Sequence, residues 1–370
     1  MEILTHISTA TGAAERGKDI GEVFSREIRE ATESYHAFFE LRGLSTERVR
    51  HIAEQSLAAL SDWCPRLATE LIATAEAAGV AVWRLAALNA RTEVLAAVAP
   101  DTEGECSTMI YAPAGAVPQT MQTWDWHAAL CPSGLVLELV PGDAQADGAA
   151  PRDPGLVGRV RLFTELGVLG KIGVNDAGLG VHFNILHHVS NHPDGGVPVH
   201  AVARRILEEA RTVAEAEAIA RSASVSASTV ITVAAAAGPE PRAASLELSP
   251  AGVAIVAPTE TGWLLHTNHF LDPGLMPGEA TLDASTTYAR IDHLAQQVPA
   301  LADLPVRERA RAFAGPSGAA APVCFTPNPA DPPHEQWTTL LTIALDLEAG
   351  QLDYAAGSPA LLADEGATKF

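Results

Sequence analysis

The sequence predicts an α+β fold in which blocks of helices alternate with blocks of strands. Apolar residues recur at steps of three and four through about the first 100 residues, as in amphipathic helices. After Cys106 the pattern changes to short alternating runs, which are typical of strands, and helical periodicity returns in two later blocks. Because each block must bury its apolar side against another, this order predicts a layered α+β body.

Residues 1–105 are predicted to form an all-helical pro-segment. An amphipathic stripe covers residues 18–42, and Ser45 follows it as the cap of a second helix. Pro65 fits the first turn of a third helix, because proline is tolerated where a helix N–H has no partner. A fourth helix ends near Glu93, so the whole segment is predicted to precede the first strand.

Residues 106–370 are predicted to form the strand-rich body. The predicted strands lie at 106–112, 120–127, 135–140, 157–164, 226–236, 243–249, 252–257, 262–267, 337–347 and 351–355. An Asn-Asp turn makes residues 171–186 a hairpin, and residues 142–155 read as a polar loop. Two consecutive helices are predicted from about Val199, and Thr212 and Glu215 form a capping box for the second one. Further helices are predicted at 285–298 and 305–314.

Composition excludes several function classes. The formal net charge of -21 disfavours binding to nucleic acid or to an anionic membrane. The sequence contains neither an uninterrupted apolar stretch of membrane-spanning length nor a secretion signal, so a cytoplasmic location is expected. The cysteines form no C-x-x-C pair and are expected to be reduced; they are Cys64, Cys106, Cys131 and Cys324.

The most informative motif places a cysteine where the helical region ends and the first strand begins. It reads Gly104-Glu105-Cys106-Ser107-Thr108, and the next predicted strand carries Gln122-Thr123-Trp124-Asp125-Trp126. A thiolate is a strong nucleophile, but the thiol needs a base or a lowered pKa to form it. A cysteine at this border suits a nucleophile that self-cleavage of the chain releases.

These segments resemble the self-processing acyl-coenzyme A:6-aminopenicillanate acyltransferase family, which belongs to the N-terminal nucleophile hydrolases. More distantly, they are similar to choloylglycine (bile salt) hydrolases and penicillin V acylases. Further matching segments are Leu88-Asn89-Ala90-Arg91-Thr92-Glu93, Val181-His182-Phe183-Asn184-Ile185-Leu186, His266-Thr267-Asn268-His269-Phe270 and the stretch from Thr286 to Leu294. The resemblance implies a four-layer αββα sandwich in residues 106–370, and a pro-segment, residues 1–105, that stays bound after cleavage.

The resemblance implies that the Glu105–Cys106 bond is cut. Cys106 would then gain a free α-amino group, whose ordinary pKa of roughly 7.7–8.0 lets it act near neutral pH as the base for its own thiol. One residue would supply both nucleophile and base, so no histidine is needed nearby in sequence.

Four further residues take catalytic roles by the same resemblance. Asp125 would hold the new ammonium group or the substrate amine, and Arg290 would hold the surroundings of the nucleophile and pair with Asp125 or with the Cys106 terminus. Asn184 and Asn268 would donate N–H groups to the oxyanion formed during acyl transfer. Two positions depart from the related families: Gln122 stands where bile salt hydrolases usually carry arginine, and Ala289 where penicillin acyltransferases typically carry serine.

A histidine cluster offers a second enzyme hypothesis, a zinc-dependent amidase. Its members are His182, His187, His188, His192 and His200. The spacing between His188 and His192 is that of a zinc-binding helix. However, Pro193 and two glycines follow, and no glutamate completes a His-Glu-x-x-His motif.

The sequence therefore predicts a self-processing cysteine amidohydrolase or acyltransferase that forms a thioester on Cys106 with the acyl group of a small N-acyl amide or other acyl donor. The expected partners are this small molecule and the chain's own cleaved N-terminal fragment, with a homo-oligomer as a further option. No cofactor or metal is expected, and no glycine-rich phosphate loop supports coenzyme A binding. An alternative from another class is an unprocessed, non-catalytic binding protein on the same fold.

Overall fold

The computed structural model describes residues 1–98, 106–139, 155–281, 285–330, 332 and 336–370. Glu105, on one side of the predicted cleavage site, lies outside the described residues, as does almost all of the predicted loop 142–155.

The N-terminal segment, residues 1–98, is mainly helical but begins with a strand. Its helices are α1 (Ala13–Val23), α2 (Ser25–Leu41), α3 (Thr46–Trp63), α4 (Pro65–Ala78), α5 (Val82–Asn89) and α6 (Arg91–Leu95). The prediction of an all-helical pro-segment is wrong for β1 (Glu2–Ser8), which pairs in parallel with β4 (Ser133–Leu139). This pairing joins residues about 130 positions apart, and short-range periodicity carries no signal for it.

The larger sheet has eight strands in the order β1-β4-β5-β6-β7-β8-β9-β10 within the described ranges. Apart from β1 and β4, neighbouring strands run antiparallel. The strands not yet bounded are β5 (Val160–Glu165), β6 (Ile172–Asn175), β7 (Leu179–Ile185), β8 (Thr229–Ala235), β9 (Ala243–Ser249) and β10 (Gly252–Val256). The predicted hairpin is present as β6 and β7, with Gly178 at a φ of +80° in its turn.

The smaller sheet has six strands in the order β11-β2-β3-β12-β13-β14, again counting the described residues. All of its pairings are antiparallel. The strands are β2 (Cys106–Tyr111), β3 (Gln119–His127), β11 (Trp263–His266), β12 (Trp337–Asp346), β13 (Gln351–Ala356) and β14 (Thr368–Lys369).

Helices cover the outer face of each sheet, and the two sheets pack against each other. The pair α7 (Val199–Glu209) and α8 (Val213–Ser222) lies on the larger sheet. The smaller sheet carries α9 (Thr287–Leu301), α10 (Val306–Ala314) and α11 (Pro359–Glu365). The predicted four-layer αββα sandwich is therefore confirmed. In the described part of the chain, no helix combines the length and apolarity needed to cross a membrane.

The two faces of β2 serve different purposes. Cys106 lies opposite Trp124 of β3, and both belong to the core between the sheets, where Trp124 packs against Phe163 of β5. Met109 instead belongs to the cluster formed with the helices on the smaller sheet. Because side chains alternate along a strand, Cys106 points towards the larger sheet, and so does Thr108 two residues on.

Candidate active site

Cys106 is buried at the start of β2, with 2% of its surface exposed. Its backbone N–H donates to Asn268 Oδ1 at 2.8 Å. Its carbonyl oxygen accepts from Arg290 Nη1 at 2.5 Å. Three residues predicted separately for the site, on β2, after β11 and on α9, therefore meet at the backbone of Cys106.

Arg290 is fully buried in the first turns of α9 and bridges several polar groups. Besides the Cys106 carbonyl, it donates to Ser107 Oγ at 3.0 Å and to Asn268 Oδ1 at 2.9 Å. Its Nε donates to Thr286 Oγ1 at 2.9 Å, which fixes the guanidinium on its own helix. The planar guanidinium of an arginine suits this arrangement, because its N–H donors point in fixed directions.

Asn268 is positioned by both its backbone and its side chain. Its backbone N–H donates to Thr287 Oγ1 at 2.8 Å, which ties the residue to the start of α9. Its Nδ2 donates to the carbonyl oxygen of Ile185 at 2.9 Å, so the amide spans from β7 of the larger sheet to Cys106 of the smaller one. The amide therefore lies beside the backbone of Cys106, where its oxygen accepts a hydrogen bond and its nitrogen donates to Ile185.

Asn184 of β7 links the larger sheet to the smaller one. Its Oδ1 accepts from Thr108 Oγ1 at 2.8 Å, and its Nδ2 lies 3.4 Å from the carbonyl oxygen of His266. Its own carbonyl oxygen accepts from Thr229 Oγ1 at 2.7 Å. The Asn184 side chain thus joins the two sheets at Thr108, two residues after Cys106.

Asp125 is fully buried on β3, directly after the cross-strand partner of Cys106. The resemblance implies that Asp125 holds the new ammonium group of Cys106 or the substrate amine. In this structure the N–H of Cys106 is donated to Asn268, while Asp125 acts on the Cys106 sulfur through its charge and its backbone N–H.

The thiol of Cys106 is held in its protonated form. Burial raises its pKa to about 12, and the negative charge of Asp125 adds to this rise. Three contributions oppose it: the charge of Lys171, the backbone N–H of Asp125 directed at the sulfur, and the charge of Arg290. The thiol therefore needs an added base or a stronger positive field before it can act as a nucleophile.

Sequence reasoning missed a group of buried charged residues behind Trp124. We call Arg91, Glu165 and Lys171, together with Tyr35, the charge cluster. Arg91 and Lys171 both bind Glu165, and the Tyr35 hydroxyl donates to the same carboxylate. No sequence spacing connects residues from α2, α6 and the larger sheet, although Arg91 stands within a segment that the resemblance covers.

A cavity of about 340 Å³ borders the site on the side of the N-terminal segment. It reaches Trp126 of β3 and Ile185, whose carbonyl oxygen binds Asn268. Cys106 is not among its described lining residues. The wall is mainly apolar; its described members are Thr92, Leu95, Ala96, Val98, Trp126, Ile185, Leu186, His187, His188, Val189, Asn191 and Ala280.

The structure does not gather the histidine cluster into a metal site. Among the residues that it describes, no group of three or more His, Cys, Asp or Glu side chains is arranged to hold an ion. His182 bonds Gln122 within the core at 2.9 Å, and His188 bonds Ser190 at 2.7 Å. His200 of α7 packs its ring at a tilt against Phe183 of β7, with ring centroids 4.7 Å apart. The zinc hypothesis therefore finds no support in the donor arrangement.

A comparison with protein-family models shows the family of this chain. Residues 161–361, more than half of the chain, match the model of acyl-coenzyme A:6-aminopenicillanic acid acyl-transferase. The chain belongs to this acyl-transferase family. The match includes Asn184, Asn268 and Arg290, whereas Cys106 and Asp125 lie before it.

A curated member of the acyl-transferase family is similar over a shorter length. The 40 kDa form of acyl-coenzyme A:6-aminopenicillanic-acid-acyltransferase from Emericella nidulans is 26% identical over 233 residues. This match covers 62% of the present chain and 60% of that relative.

Solved structures of two amide hydrolases are similar at low identity. Penicillin V acylase from Agrobacterium tumefaciens has a TM-score of 0.41 at 15% identity, with 68% of this chain and 83% of that chain covered. An N-acylethanolamine-hydrolyzing acid amidase ortholog from Caenorhabditis elegans has a TM-score of 0.41 at 13% identity, with 66% and 93% covered. Both TM-scores lie below 0.5, and the family is shown by the match of residues 161–361.

Proposed function

We propose that the chain is a self-processing cysteine amidohydrolase or acyltransferase. It would cut its own Glu105–Cys106 bond and then pass the acyl group of a small N-acyl amide through a thioester on Cys106. The observation that carries this proposal is the backbone of Cys106, whose N–H donates to Asn268 and whose carbonyl oxygen accepts from Arg290. Such fixed polar contacts at both ends of one buried cysteine suit a nucleophile rather than a core thiol.

Self-cleavage would begin with attack of the Cys106 sulfur on the carbonyl carbon of Glu105. The new C–S bond replaces the C–N bond, and the thiol proton goes to the released α-nitrogen. Water then hydrolyses this thioester, which leaves a carboxylate on Glu105 and returns the thiol. In the mature enzyme the free α-amine is the base that the thiol requires.

Turnover would repeat the same chemistry on an external amide. The α-amine takes the thiol proton, the sulfur attacks the acyl carbon, and the proton passes to the leaving amine. The side-chain amide of Asn268, with the neighbouring Asn184, would stabilise the tetrahedral oxyanion by several kcal/mol. Asp125 would hold the charged α-amino group or the substrate amine, and Arg290 would keep the Cys106 carbonyl in place.

We assign the acyl group of the substrate to the cavity beside Trp126 and Ile185. Its mainly apolar wall fits a hydrocarbon or aromatic acyl chain, with His187, His188 and Asn191 as polar groups at the wall. Whether water or an amine takes the acyl group depends on how far the pocket excludes water. We favour hydrolysis, with transfer to an amine as an activity of the same site.

We further propose that the N-terminal fragment stays attached after the cut and that the enzyme works in a reducing compartment such as the cytoplasm. The N-terminal segment supplies four residues to the cavity wall, which supports the first point. All four cysteines are free thiols, which supports the second.

Intact-mass analysis of the purified protein tests this proposal. Self-cleavage should give fragments of 105 and 265 residues (370 − 105 = 265), with Cys106 at the new N-terminus. Cys106→Ala should leave one chain of 370 residues and abolish turnover of every member of an N-acyl amide panel. An active wild-type enzyme with an intact Glu105–Cys106 bond would refute the mechanism. An uncut chain that binds N-acyl amides without turnover would establish the non-catalytic binding protein instead.

A further inference from the structure

The charge cluster buries two cations around a single carboxylate. Arg91 Nη2 lies 2.6 Å from Glu165 Oε1, and Lys171 Nζ lies 3.0 Å from the same oxygen. The Tyr35 hydroxyl donates to Oε2 at 2.7 Å. At most 4% of each of the three charged side chains is exposed.

These charges do not balance. One carboxylate faces two cations, so the cluster carries one net positive charge inside the core. An isolated buried charge is costly, and buried cations are normally paired with an anion. Burial raises the pKa of Glu165, but Arg91 and Lys171 outweigh it and keep that carboxyl ionised. The surplus charge therefore calls for a second anion.

Among the described residues, Tyr35, Cys131 and His200 interact with the cluster and are held neutral. Glu93 interacts with Arg91, and burial raises its pKa to about 7. Cys106 interacts with Lys171, and burial raises its pKa to about 12. Burial, assisted by Glu165, raises the pKa of the Tyr35 hydroxyl and of the Cys131 thiol. The Cys131 thiol also donates to the carbonyl oxygen of Ser133 at 3.4 Å. Burial and the two nearby cations lower the pKa of His200 well below its ordinary range.

The surplus charge lies on the side of Cys106. Lys171 Nζ is 3.5 Å from the centroid of the Trp124 ring. Trp124 is directly opposite Cys106 on the neighbouring strand, and paired residues of two strands project from the same face with Cβ atoms about 5 Å apart. Glu165 is the one hydrogen-bond acceptor that the described residues offer to Lys171, so two of its three ammonium hydrogens make no hydrogen bond there.

We propose that Lys171 supplies the positive counter-charge of the Cys106 thiolate, and that Arg91 keeps this charge available by balancing Glu165. This inference rests on the proposed function, in which Cys106 is the nucleophile. Lys171 is a positioning residue, because it acts through the sulfur and not on the substrate. Arg91 belongs to the N-terminal segment, so that segment takes part in activating the nucleophile.

The electrostatics at the sulfur agree with this assignment. Burial is the largest influence on the pKa of Cys106 and raises it, while Lys171 lowers it more than Arg290 does. Asp125 is the acid that opposes them. Burial also lowers the pKa of Lys171 to about 8, against the opposing influence of Glu165 and of Cys106 itself. An anionic sulfur would therefore keep the lysine protonated.

Alkylation of Cys106 by iodoacetamide as a function of pH tests the proposal without a substrate. Peptide mass mapping separates Cys106 from the other thiols, and only the thiolate reacts. Lys171→Met should slow the alkylation at pH 7.5 by at least about tenfold, which corresponds to one pKa unit. Lys171→Arg keeps the charge and should stay within about threefold of the wild type.

A charge-compensated pair distinguishes an electrostatic role from a structural one. Arg91→Met leaves the cluster with no net charge, so it should slow the alkylation as Lys171→Met does. Arg91→Met combined with Glu165→Gln restores one net positive charge on Lys171, and the alkylation rate should recover to within about threefold of the wild type. A purely structural role predicts that the double variant is slower than Arg91→Met alone, and that result would overturn the proposal.

Titration of the Cys106 sulfur gives a second readout. The thiolate absorbance near 240 nm, taken as the difference between each protein and its Cys106→Ala counterpart, follows this titration. Lys171→Met should raise the apparent pKa of Cys106 by at least about one unit relative to the wild type, and an equal pKa in the two proteins would refute the counter-charge. Cleavage and amide turnover are measured separately, so an inactive, uncut wild type whose thiol pKa still rises in Lys171→Met would refute the proposed function alone.

Discussion

Arg290 connects Cys106 to Asn268 with hydrogen bonds that a lysine cannot reproduce. Its Nη1 reaches the Cys106 carbonyl and Ser107, and its Nη2 reaches Asn268. A lysine carries one nitrogen and lacks the planar fork. We expect Arg290→Lys to lower kcat/KM by about 100-fold, since misplacing a catalytic group by about 1 Å has an effect of this size.

The comparison for this variant is Arg50→Lys. Arg50 lies on α3, is 57% exposed and pairs with Glu54 on the same helix face. It should keep the wild-type kcat/KM on the same N-acyl amide. If Arg290→Lys were as active as Arg50→Lys, the bridge would not matter for catalysis.

A substitution at Leu95 tests whether the cavity beside Trp126 and Ile185 holds the acyl group of the substrate. This residue of α6 is buried and lines the cavity. A tryptophan there fills part of the space, and each methylene that a pocket accepts or rejects is worth about 1–3 kcal/mol. Leu95→Trp should reduce kcat/KM at least about tenfold for long acyl chains, and by less than about threefold for an acetyl amide.

A tryptophan placed outside the cavity controls for bulk alone. Leu41 at the end of α2 is 56% exposed and does not line the cavity. Leu41→Trp should leave the preference for acyl length unchanged. An equal loss for acetyl and long-chain amides in Leu95→Trp would place the acyl group elsewhere.

Single residues could be predicted only where a local pattern marked them. Cys106 is marked by its position at a change of periodicity, and the resemblance supplied Asn268 and Arg290. The structure brings these three together at hydrogen-bond distance. Glu165 and Lys171 stood in no motif with an obvious chemical role, and their function depends on partners from distant parts of the chain. The role of such residues follows from three-dimensional contacts alone.

At the scale of elements, α6 meets the start of α7 through a buried carboxyl group. Glu93 Oε1 accepts the backbone N–H of Val199 at 2.9 Å, and Oε2 has no partner among the described residues. Burial raises the pKa of Glu93 to about 7, against the lowering influence of this backbone hydrogen bond. The neutral acid is therefore the form that the folded protein prefers.

The sign of the pH dependence follows from that raised pKa. Glu93 keeps its proton in the folded state up to about pH 7 but loses it near pH 4.5 when unfolded. The stability it contributes is present below pH 4.5 and is lost as the pH rises to 7, at about 1.4 kcal/mol per unit. Glu93→Gln has no proton to lose, so its advantage over the parent should grow by about 2 kcal/mol between pH 5 and 7.

Urea unfolding in the Cys106→Ala background measures this effect, because the parent is then a single uncut chain. Glu93→Ala serves as the comparison. It removes the titration and also the acceptor for Val199, so its free energy of unfolding should be lower by about 1–3 kcal/mol with the same flattened pH profile. A parent whose pH profile matches that of Glu93→Gln would contradict the raised pKa.

Elements with strong local periodicity could be predicted from the sequence, whereas their pairing could not. The hairpin of β6 and β7 and the capping box of α8 lie where the sequence places them. In contrast, β1 reads as part of a helical region, since its strand character depends on a partner about 130 residues away. The final α11 and β14 lie after the last predicted strand, and both are too short to give a clear periodicity.

At the scale of the whole molecule, the N-terminal segment is joined to the body by buried ion pairs as well as by the β1–β4 strand pair. Arg204 of α7 donates to Glu70 of α4 at 3.0 Å, and Arg16 of α1 donates to the same carboxylate at 2.7 Å. Arg66 at the start of α4 pairs with Glu208 of α7. These contacts do not depend on the Glu105–Cys106 bond, so the fragments should elute together in native size-exclusion chromatography after cleavage.

Removing Arg204 should weaken this association measurably. The side chain is 1% exposed and also binds Glu208 and the carbonyl oxygen of Leu169. Breaking a buried ion pair by deleting one partner typically costs about 3–5 kcal/mol, because the remaining charge stays buried. In Arg204→Met the two fragments should therefore separate at a clearly lower urea concentration than in the wild type.

The control is Arg50→Met, which breaks an exposed ion pair worth less than about 1 kcal/mol. It should leave the urea concentration needed for separation unchanged. Fragments that part in plain buffer, or equal behaviour of the two variants, would show that the buried ion pairs do not hold the molecule together.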